Sequence, residues 1–491
     1  MQDLLFRLQP ASETGLQAQL REKLVAAILD GHVPKDERLP SSRQLAKALG
    51  ISRNTVTLAY QSLIDDGFLV SRERSGTFVS PDIGTAAARQ DLNGEHRSGA
   101  GDAERTIDWR HRLRVQPSAQ ENIAKPRDWR RHPYPFIYGQ VDHGLFPIAE
   151  WRDCTRRALG RQWLDGWTAD HHAFDDEMLI EQIRTRLLPR RGIMARENEI
   201  LVTLGAQHAL YLIASLLTRR ETTVGIEDPG YPDTRNIFAL RSSRLVNLPV
   251  DDEGMVISSA LGECDIVCAT PSHHAPTTVT MPEHRRFNLL QKAVTHDFLV
   301  VEDDYEFETN FISAPSPALK SLDRDGRVIY VGSLSKTLFP GLRLGFLVGD
   351  PELVREARAL RRLMVRHPPN LNQRTAAHFI ALGHHDSMLM RLRRAYGRRW
   401  EAIRAAMETH LPDFRVMPSN GGSSIWVEGP PELDTTALAR STLDLGVVIE
   451  PGEIYFNEEP RPRNHFRLGF SSIASEDIAE GISRIAQCVT R

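Results

Sequence analysis

Residues 332–345 read GSLSKTLFPGLRLG and continue an apolar run at Val328–Val331. The run has the length of a strand that is buried on both faces. Similar runs occur at Ile200–Leu204, Val224–Ile226, Asp265–Ala269, Phe298–Val301 and Leu344–Val348. Such runs, separated by longer amphipathic stretches, are typical of a mostly parallel sheet that is covered by helices. The sequence therefore predicts an α/β domain from Tyr134 onward.

Unusual polar segments follow five of these runs. They are GAQHAL from Gly205, EDPGYPDTR from Glu227, TPSHHAP from Thr270, EDDYEFE from Glu302 and SLSK from Ser333. In open α/β sheets, ligands bind at the carboxyl ends of the strands. We therefore expect the five segments to lie at one edge of the sheet and to form a single site.

The residue types in these segments match the parts of a phosphorylated pyridine aldehyde. Lys336, one of only seven lysines in the chain, is placed to become a Schiff-base nucleophile in a desolvated pocket. Asp303 can pair with a ring nitrogen and keep it protonated. Tyr305 can bond a phenolic oxygen, and Tyr231 offers a flat face for stacking.

A phosphate group has its own candidate partners. Gly205, Ala206 and Gln207 stand at a strand-to-helix turn, where free N–H groups and the helix dipole favour an anion. The other candidate donors to the phosphate are Ser333, Ser335 and Arg343.

His273 is expected to line the same pocket. The pairs His171-His172, His273-His274 and His384-His385 do not predict a metal site, because neighbouring residues on a strand point to opposite faces.

Residues 1–80 carry a different pattern. Apolar residues recur at helical spacing from Leu16 to Ile28, and Ser41 and Gln44 have the spacing of a capping box at the start of a second helix. A third helix begins near Arg53, and two short strand-like runs flank the turn RERSG. Three helices followed by a β-wing predict a winged helix-turn-helix domain.

The predicted DNA-binding residues lie in two groups. The first residues of the third helix reach base edges in the major groove, and these are Arg53, Asn54 and Thr55. Contacts to phosphates or to the groove beside the wing are expected from Ser42, Arg43, Arg72 and Arg74. An operator DNA is therefore the predicted macromolecular partner.

Composition limits the class of protein. The chain has 491 residues, of which 25% are charged and 41% hydrophobic, a formal net charge of −3 and four cysteines. It has no run of ~18 apolar residues, and its N-terminus has no secretory pattern, so we expect a cytoplasmic protein that is not bound to a membrane.

We predict a DNA-binding domain at 1–80, a polar linker at 81–133, and an effector domain at 134–491 with a small α+β subdomain at about 370–491. Trp109 and Trp129 predict that the later part of the linker docks on another surface.

Several motifs resemble known families. SLSKTLFPGLRLG, VEDDYEF, EDPGYP and LGAQHAL are similar to the signature of fold-type I aminotransferases, and residues 39–79 resemble the GntR-type winged helix. Together they resemble the MocR/GabR subfamily of bacterial transcription regulators. The resemblance implies a multidomain fold, with an N-terminal winged helix-turn-helix and an α/β fold-type I domain that has a small C-terminal α+β subdomain. It also implies pyridoxal 5'-phosphate on Lys336 and a head-to-tail homodimer.

The effector is less well defined by the sequence. Arg467 matches the aminotransferase arginine that clamps a substrate carboxylate, and Asp233 stands where relatives that respond to γ-aminobutyrate carry an arginine. Pro276-Thr277-Thr278 also departs from the PTG of many relatives. GQVDHGLFP and RLLPRRGI resemble the branch that controls taurine or ectoine catabolism. Asp233 could accept a second amino group.

Two functions fit these features. In the first, the protein regulates transcription and senses a small amino compound through an external aldimine. In the second, it is a working aminotransferase with an accessory DNA-binding domain. The DNA-reading residues near Arg53 favour the first, because an enzyme would not need them.

Overall fold

The computed structural model describes Leu8 and residues 14–73, 75–83, 107–312 and 316–489. The chain forms two compact units, Met1–Asp108 and Trp109–Arg491. Within the described ranges, no helix is both long enough and apolar enough to cross a bilayer.

The first unit is a winged helix-turn-helix, as predicted. Its elements are α1 (Leu16–Leu29), α2 (Ser42–Leu49), α3 (Arg53–Asp65), β1 (Leu69–Arg72) and β2 (Gly76–Val79). The expected capping box is present, because Ser41 Oγ accepts from the Gln44 N–H while the Gln44 side chain accepts from the Ser41 N–H. The apolar stripe of α3, from Val56 to Leu63, is buried in the core of this unit.

The second unit begins with irregular chain and continues into an α/β region. Short 3-10 turns lie at Trp109–His111, Pro117–Ala119 and Trp129–Arg131. The elements that follow are β3 (Tyr134–Pro135), α4 (Ile148–Ala158), α5 (Leu164–Thr168), α6 (Glu177–Gln182), β4 (Ile200–Thr203), α7 (Ala206–Leu217), β5 (Thr223–Asp228), α8 (Pro232–Ala239), β6 (Arg244–Asp251), β7 (Gly254–Met255), β8 (Ile266–Ala269), α9 (Glu283–His296), β9 (Leu299–Asp304), α10 (Leu319–Leu322), β10 (Val328–Ser333) and β11 (Gly345–Val348).

The large sheet has the strand order β4-β11-β10-β9-β8-β5-β6-β7. Strands β10, β9, β8, β5 and β6 are parallel. β11 is antiparallel to both of its neighbours, so β4 points the same way as β10. The carboxyl ends of the five strands that precede the polar segments therefore lie at one edge, as the sequence predicts.

Strand β6 was not predicted from the sequence. It is flanked by β5 and by the two-residue strand β7, and most of its residues are only half-buried or exposed. A strand near the edge of a sheet does not need a continuous apolar run, so the pattern that identified the central strands does not apply to it.

Helix α11 (Pro351–Val365) follows and packs in the core of the large sheet, with α7 and β4. The chain then forms a smaller subdomain that is largely helical. Its elements are α12 (Asn370–Ala381), α13 (His384–His410), β12 (Arg415–Val416), β13 (Ser424–Glu428), α14 (Thr435–Asp444), β14 (Val447–Val448), β15 (Glu450–Pro451), β16 (His465–Gly469) and α15 (Ile478–Val489). The order of its sheet is β12-β13-β16-β15. β14 pairs in parallel with β3, so the chain just after Tyr134 lies against the C-terminal strands.

Candidate functional site

A cavity of about 290 Å³ lies at the carboxyl edge of the large sheet. It brings together most of the small-molecule residues predicted from the sequence. These are Ala206, Gln207, Tyr231, Asp233, Asp303, Tyr305, Ser333, Ser335, Lys336, Arg343 and Arg467. The residues come from the ends of β4, β5, β9 and β10 and from β16 of the smaller subdomain. One concave site therefore collects side chains that are far apart in the sequence.

Lys336 follows β10 by three residues and extends into this cavity. Its Nζ lies 4.0 Å from the centre of the Tyr138 ring. Burial, with the positive charges of Arg467 and Lys125, lowers the pKa of the Lys336 ammonium to about 8, although Glu306 opposes the shift. A Cβ on Gly139 would lie 2.5 Å from Lys336 Nζ, so the glycine leaves room for the amine. A lysine with this pKa is neutral, and hence nucleophilic, in an appreciable fraction of molecules near pH 7.

Asp303 and Tyr305 present polar atoms without partners. Asp303, the fifth residue of β9, is 8% exposed, and its Oδ1 has no hydrogen-bond partner among the described residues. Burial and the neighbouring Asp304 raise the pKa of the Asp303 carboxyl to about 7. The Tyr305 hydroxyl also lacks a partner in this part of the structure, and burial raises its pKa. Buried polar groups are normally satisfied, so these atoms are available to the polar groups of a ligand.

A second end of the cavity has the features of an anion site. Helix α7 begins at Ala206, directly after Gly205 in a left-handed conformation (φ +91°). Arg343 donates from Nη2 to the Leu204 carbonyl over 2.9 Å. A Cβ on Gly205 would lie 3.3 Å from Arg343 Nη2. Gly205 itself does not line the cavity. Ser335 Oγ is buried and has no partner in the described ranges, and the Ser335 N–H donates to Ser333 Oγ over 3.2 Å.

The carboxylate of Asp233 has neighbours that the sequence did not predict. Its Oδ2 accepts hydrogen bonds from the Tyr231 hydroxyl (2.8 Å) and from Gln207 Nε2 (3.0 Å). Asp233 therefore holds the side chains of Tyr231 and Gln207 at the wall of the cavity. Its expected role as an acceptor for a second amino group stays a prediction, since one of its oxygens is already engaged.

His273 lies behind Tyr305 and outside the main cavity. Its ring meets the Tyr305 ring edge-on, with centroids 5.9 Å apart, and its Nε2 lies 3.5 Å from Glu306 Oε2. It lines a smaller cavity instead, packed against Gly422, where a Cβ would approach to 2.4 Å. Burial lowers the pKa of His273. In this structure His273 supports Tyr305 and does not face the larger cavity.

Arg467 is held tightly at the side of the cavity nearest the smaller subdomain. It is 2% exposed, its Nε donates to Ser424 Oγ over 2.9 Å, and its Cζ lies 3.4 Å from the centre of the Tyr138 ring. Its Nη2 has no partner among the residues that the structure describes. A buried guanidinium nitrogen without an acceptor is suited to an acid group of a ligand.

Sequence reasoning missed the residue at the centre of this arrangement, Tyr138. Its hydroxyl donates to Glu306 Oε2 (3.0 Å), and its backbone N–H donates to Glu450 Oε1 (3.2 Å). The pairing of β3 with β14 brings it here from more than sixty residues before β4. It follows no strand of the large sheet, so the rule that found the other residues could not find it.

The predicted reading helix of the first unit presents polar side chains to solvent. Arg53 and Asn54 are exposed at the start of α3. Thr55 is half-buried, and its N–H donates to the capping Ser52 Oγ over 3.0 Å. Arg53 and Asn54 are thus free to reach a partner, whereas Thr55 also helps to begin the helix.

The remaining DNA-binding candidates differ in their surroundings. Arg43 is exposed and Ser42 half-buried at the start of α2. Arg72 forms an ion pair with Asp36 and lies 4.6 Å from the centre of the Phe78 ring. Arg74 lies outside the described residues. Asp36 and Phe78 therefore hold Arg72 in place, while Arg43 is unconstrained by any ion pair within the described ranges.

Comparison with known proteins assigns families to both units. Residues 16–79 match the model of bacterial regulatory proteins of the gntR family, and residues 175–485 match aminotransferase class I and II. The chain is 43% identical to the HTH-type transcriptional regulator TauR of Rhodobacter capsulatus, over 99% of this chain and 98% of that one. It is 32% identical to the probable rhizopine catabolism regulatory protein MocR of Rhizobium meliloti, over 96% and 94%.

Solved structures match the second unit. A kynurenine aminotransferase from Pyrococcus horikoshii superposes with a TM-score of 0.71 and 28% identity, over 77% of this chain and 97% of that one. The α-aminoadipate aminotransferase LysN from Thermus thermophilus does so with a TM-score of 0.71 and 27% identity, over 78% and 98%. The chain therefore belongs to the MocR/GabR-like subfamily of GntR-type transcription regulators, in which a winged helix is joined to an aminotransferase class I and II domain.

Proposed function

We propose that this regulator binds pyridoxal 5'-phosphate at Lys336 and uses it to sense a small amino compound. One observation carries the proposal. A desolvated lysine and the unsatisfied polar atoms of Asp303 and Tyr305 line the same cavity, in a chain that also carries a winged helix. Neither unit alone would support a ligand-controlled regulator.

The residues around the cavity fit this cofactor. The Asp303 carboxylate would pair with the protonated ring nitrogen, and the Tyr305 hydroxyl would bond the phenolic oxygen. Ser335, Arg343 and the first N–H groups of α7 would hold the phosphate. Each of these groups either lacks a partner within the described ranges or lies open at the cavity wall. When bound, the cofactor supplies an aldehyde that reacts with primary amines.

The chain's own residues would select the amine and hold its other end. The lowered pKa of Lys336 lets it both form and release a covalent link near neutral pH. Arg467 offers an unpartnered guanidinium nitrogen for a carboxylate or sulfonate. The likeness to a regulator named TauR supports a taurine-type effector over an ectoine-type one.

The DNA-binding proposal rests on the exposed start of α3. Arg53 and Asn54 project from the first turn, where winged-helix proteins meet base edges in the major groove. Arg43 and Arg72 would contact the phosphate backbone. The head-to-tail homodimer implied by the family stays a prediction, and light scattering would test it by returning about twice the chain mass of 55.4 kDa.

A working aminotransferase is the second candidate. Its support is that the cavity keeps a complete set of groups for the cofactor, in a fold shared with solved aminotransferases. The two functions differ in what happens after the amine binds. A sensor keeps its ligand, whereas an enzyme converts it.

One experiment separates these functions. The purified protein is titrated with a panel of primary amines, including taurine, and its visible absorbance and operator affinity are recorded together. We expect at least one amine to change both, with turnover in the presence of a 2-oxo acid far below that of ordinary enzymes (~10 per second). Turnover at that rate without any change in operator affinity would establish the aminotransferase instead.

A further inference from the structure

The chain that leads into the second unit forms part of the cavity wall. We name the segment 117–125 the strap. It starts with the 3-10 turn Pro117–Ala119, and three of its residues, Asn122, Ile123 and Lys125, line the cavity beside Lys336. The strap lies within the linker predicted from the sequence, and that prediction placed none of its residues in the site.

The strap is held by hydrogen bonds and an ion pair. Gln120 Nε2 donates to the Asn236 carbonyl (2.9 Å), and Asn236 Nδ2 donates to the Glu121 carbonyl (2.8 Å). The Glu121 carboxylate pairs with Arg461. Of the two tryptophans expected to mark this docking, Trp109 is 65% exposed and Trp129 is half-buried. The polar residues of the strap make the hydrogen bonds and the ion pair that hold it.

Lys125 is the charged residue that the strap brings to the cavity. Its Nζ donates to the Tyr138 carbonyl (2.7 Å) and lies 3.0 Å from Glu450 Oε1. The Lys125 side chain is 29% exposed, whereas that of Glu450 is 4% exposed. An ammonium has three hydrogens, so two acceptors leave one N–H for a ligand.

Three cations surround the Tyr138 ring. Lys125 Nζ, Lys336 Nζ and Arg467 Cζ lie 5.8, 4.0 and 3.4 Å from its centre. Because the cofactor would engage Lys336, Lys125 and Arg467 are the two cations left to an acid group, and they face the carboxylates of Glu306 and Glu450. An acid group that enters beside this ring therefore meets two basic side chains, each with an N–H to offer, in a site that is partly closed to water.

We propose that the strap is part of the effector site and that Lys125 binds the acid group of the effector, together with Arg467. Lys125 thereby selects amines that carry an acid group over amines of the same length that do not. This inference rests on the proposed function, because it assumes that the amine of the ligand reaches the cofactor at Lys336. Of Lys125, Lys336 and Arg467, Lys125 is the one that lies in the stretch of sequence between the winged helix and the large sheet.

The test compares three probes of similar length. Taurine, β-alanine and 2-aminoethanol are titrated into the cofactor-loaded protein, and affinity is read from absorbance and from calorimetry. We expect the wild type to bind the two acid amines more tightly than the alcohol. Lys125→Met should weaken the acid amines by at least about tenfold and leave the alcohol unchanged, because a charge-assisted hydrogen bond is lost.

Two further variants separate charge recognition from structural damage. Lys125→Arg keeps the charge and should restore most of the preference. Lys292→Met changes a half-buried lysine of α9 that does not line the cavity, and should leave all three affinities unchanged. In the wild type, taurine should also slow hydrogen exchange in the strap.

The outcomes distinguish the two proposals. If the wild type prefers the acid amines and Lys125→Met keeps that preference, the assignment of Lys125 is wrong while the sensing function stands. If the wild type binds acid amines and the alcohol equally, the assignment is also wrong. If the loaded protein binds none of the three, the sensing of such amines fails and the role of Lys125 fails with it.

Discussion

The two units of this chain satisfy their polar groups in different ways. Among the described residues of the winged helix, no buried side-chain polar atom lacks a hydrogen-bond partner. Around the cavity of the second unit, Asp303, Tyr305, Ser335 and Arg467 each have a buried atom without one. The first unit carries its candidate binding groups on exposed side chains such as Arg53, whereas the second carries them as buried polar groups at the wall of a cavity.

The two units therefore differ in when they meet the free-energy cost of removing water from their binding groups: the first unit on binding, the second on folding. A polyanion such as DNA is met by exposed cations that keep their water until binding. A small molecule is met by groups that the fold has already desolvated and oriented, which lowers the stability of the empty protein. Substitutions in the two units should therefore have different signatures.

The largest effect is expected at Lys336. Lys336→Ala removes the amine that holds the cofactor, so the visible absorbance and the response to amines should be lost completely. Operator affinity should change by less than about twofold, because residues 16–79 fold around their own core. Absorbance and a DNA-binding titration measure both. Lys292→Ala is the control, and a Lys336→Ala protein that stays yellow would refute the assignment.

The next effect is expected in the other unit. Arg53→Ala should weaken specific operator binding by about 1–3 kcal/mol, since a side chain that reads a base edge is lost. Cofactor absorbance should not change. Arg21→Ala, in the Arg21–Asp66 ion pair that joins α1 to the end of α3, serves as the control. Equal losses on operator and on random DNA would mean that Arg53 contacts phosphate only.

A smaller effect, of opposite sign, is expected at Asp303. Its pKa is raised to about 7, so the folded cofactor-free protein binds more protons than the unfolded chain between about pH 4 and 7. The stabilisation that the protonated Asp303 carboxyl gives the folded protein is therefore lost as the pH rises through that window. Asp303→Asn should stabilise the cofactor-free protein at pH 8 by at least about 1 kcal/mol and flatten its pH dependence.

Denaturant unfolding at several pH values measures this change. The exposed Asp413 offers a matched control, Asp413→Asn, which should alter neither the stability nor its pH dependence. Asp303→Asn should also bind the cofactor more weakly, because the ring nitrogen loses its charged partner. A variant that is less stable than the wild type at pH 8 would contradict the account of an unsatisfied carboxylate.

The smallest effect is expected at Arg72. The ion pair with Asp36 already engages this side chain, so it is not free to read a base edge. We therefore expect Arg72→Ala to weaken binding to operator DNA and to random DNA alike. The slope of log affinity against log salt should fall by about one. A loss confined to the operator would place Arg72 among the residues that read bases.

Much of this architecture could be predicted because the signals are local. The stripe of α3, the capping box at Ser41 and the apolar runs of the central strands each depend on neighbouring residues. Parallel strands end at one edge of a sheet, and this rule is enough to bring Lys336 and Asp303 into one site from the amino-acid sequence alone.

The rest depends on contacts between distant parts of the chain. Tyr138 reaches the cavity through the pairing of β3 with β14, and Lys125 reaches it through its ion pair with Glu450. No periodicity or strand-end motif marks either residue. His273 shows the reverse case, since it follows a strand of the correct edge but packs behind Tyr305 and lines a smaller cavity.

The most direct test of the central claim is to identify the lysine that carries the cofactor. Two lysines, Lys336 and Lys125, line the same cavity, so proximity alone does not decide between them. Borohydride reduction followed by peptide mass spectrometry fixes the cofactor where it is attached. We expect the label on Lys336 in nearly every molecule. A label on Lys125, or on any lysine outside the cavity, would contradict the account.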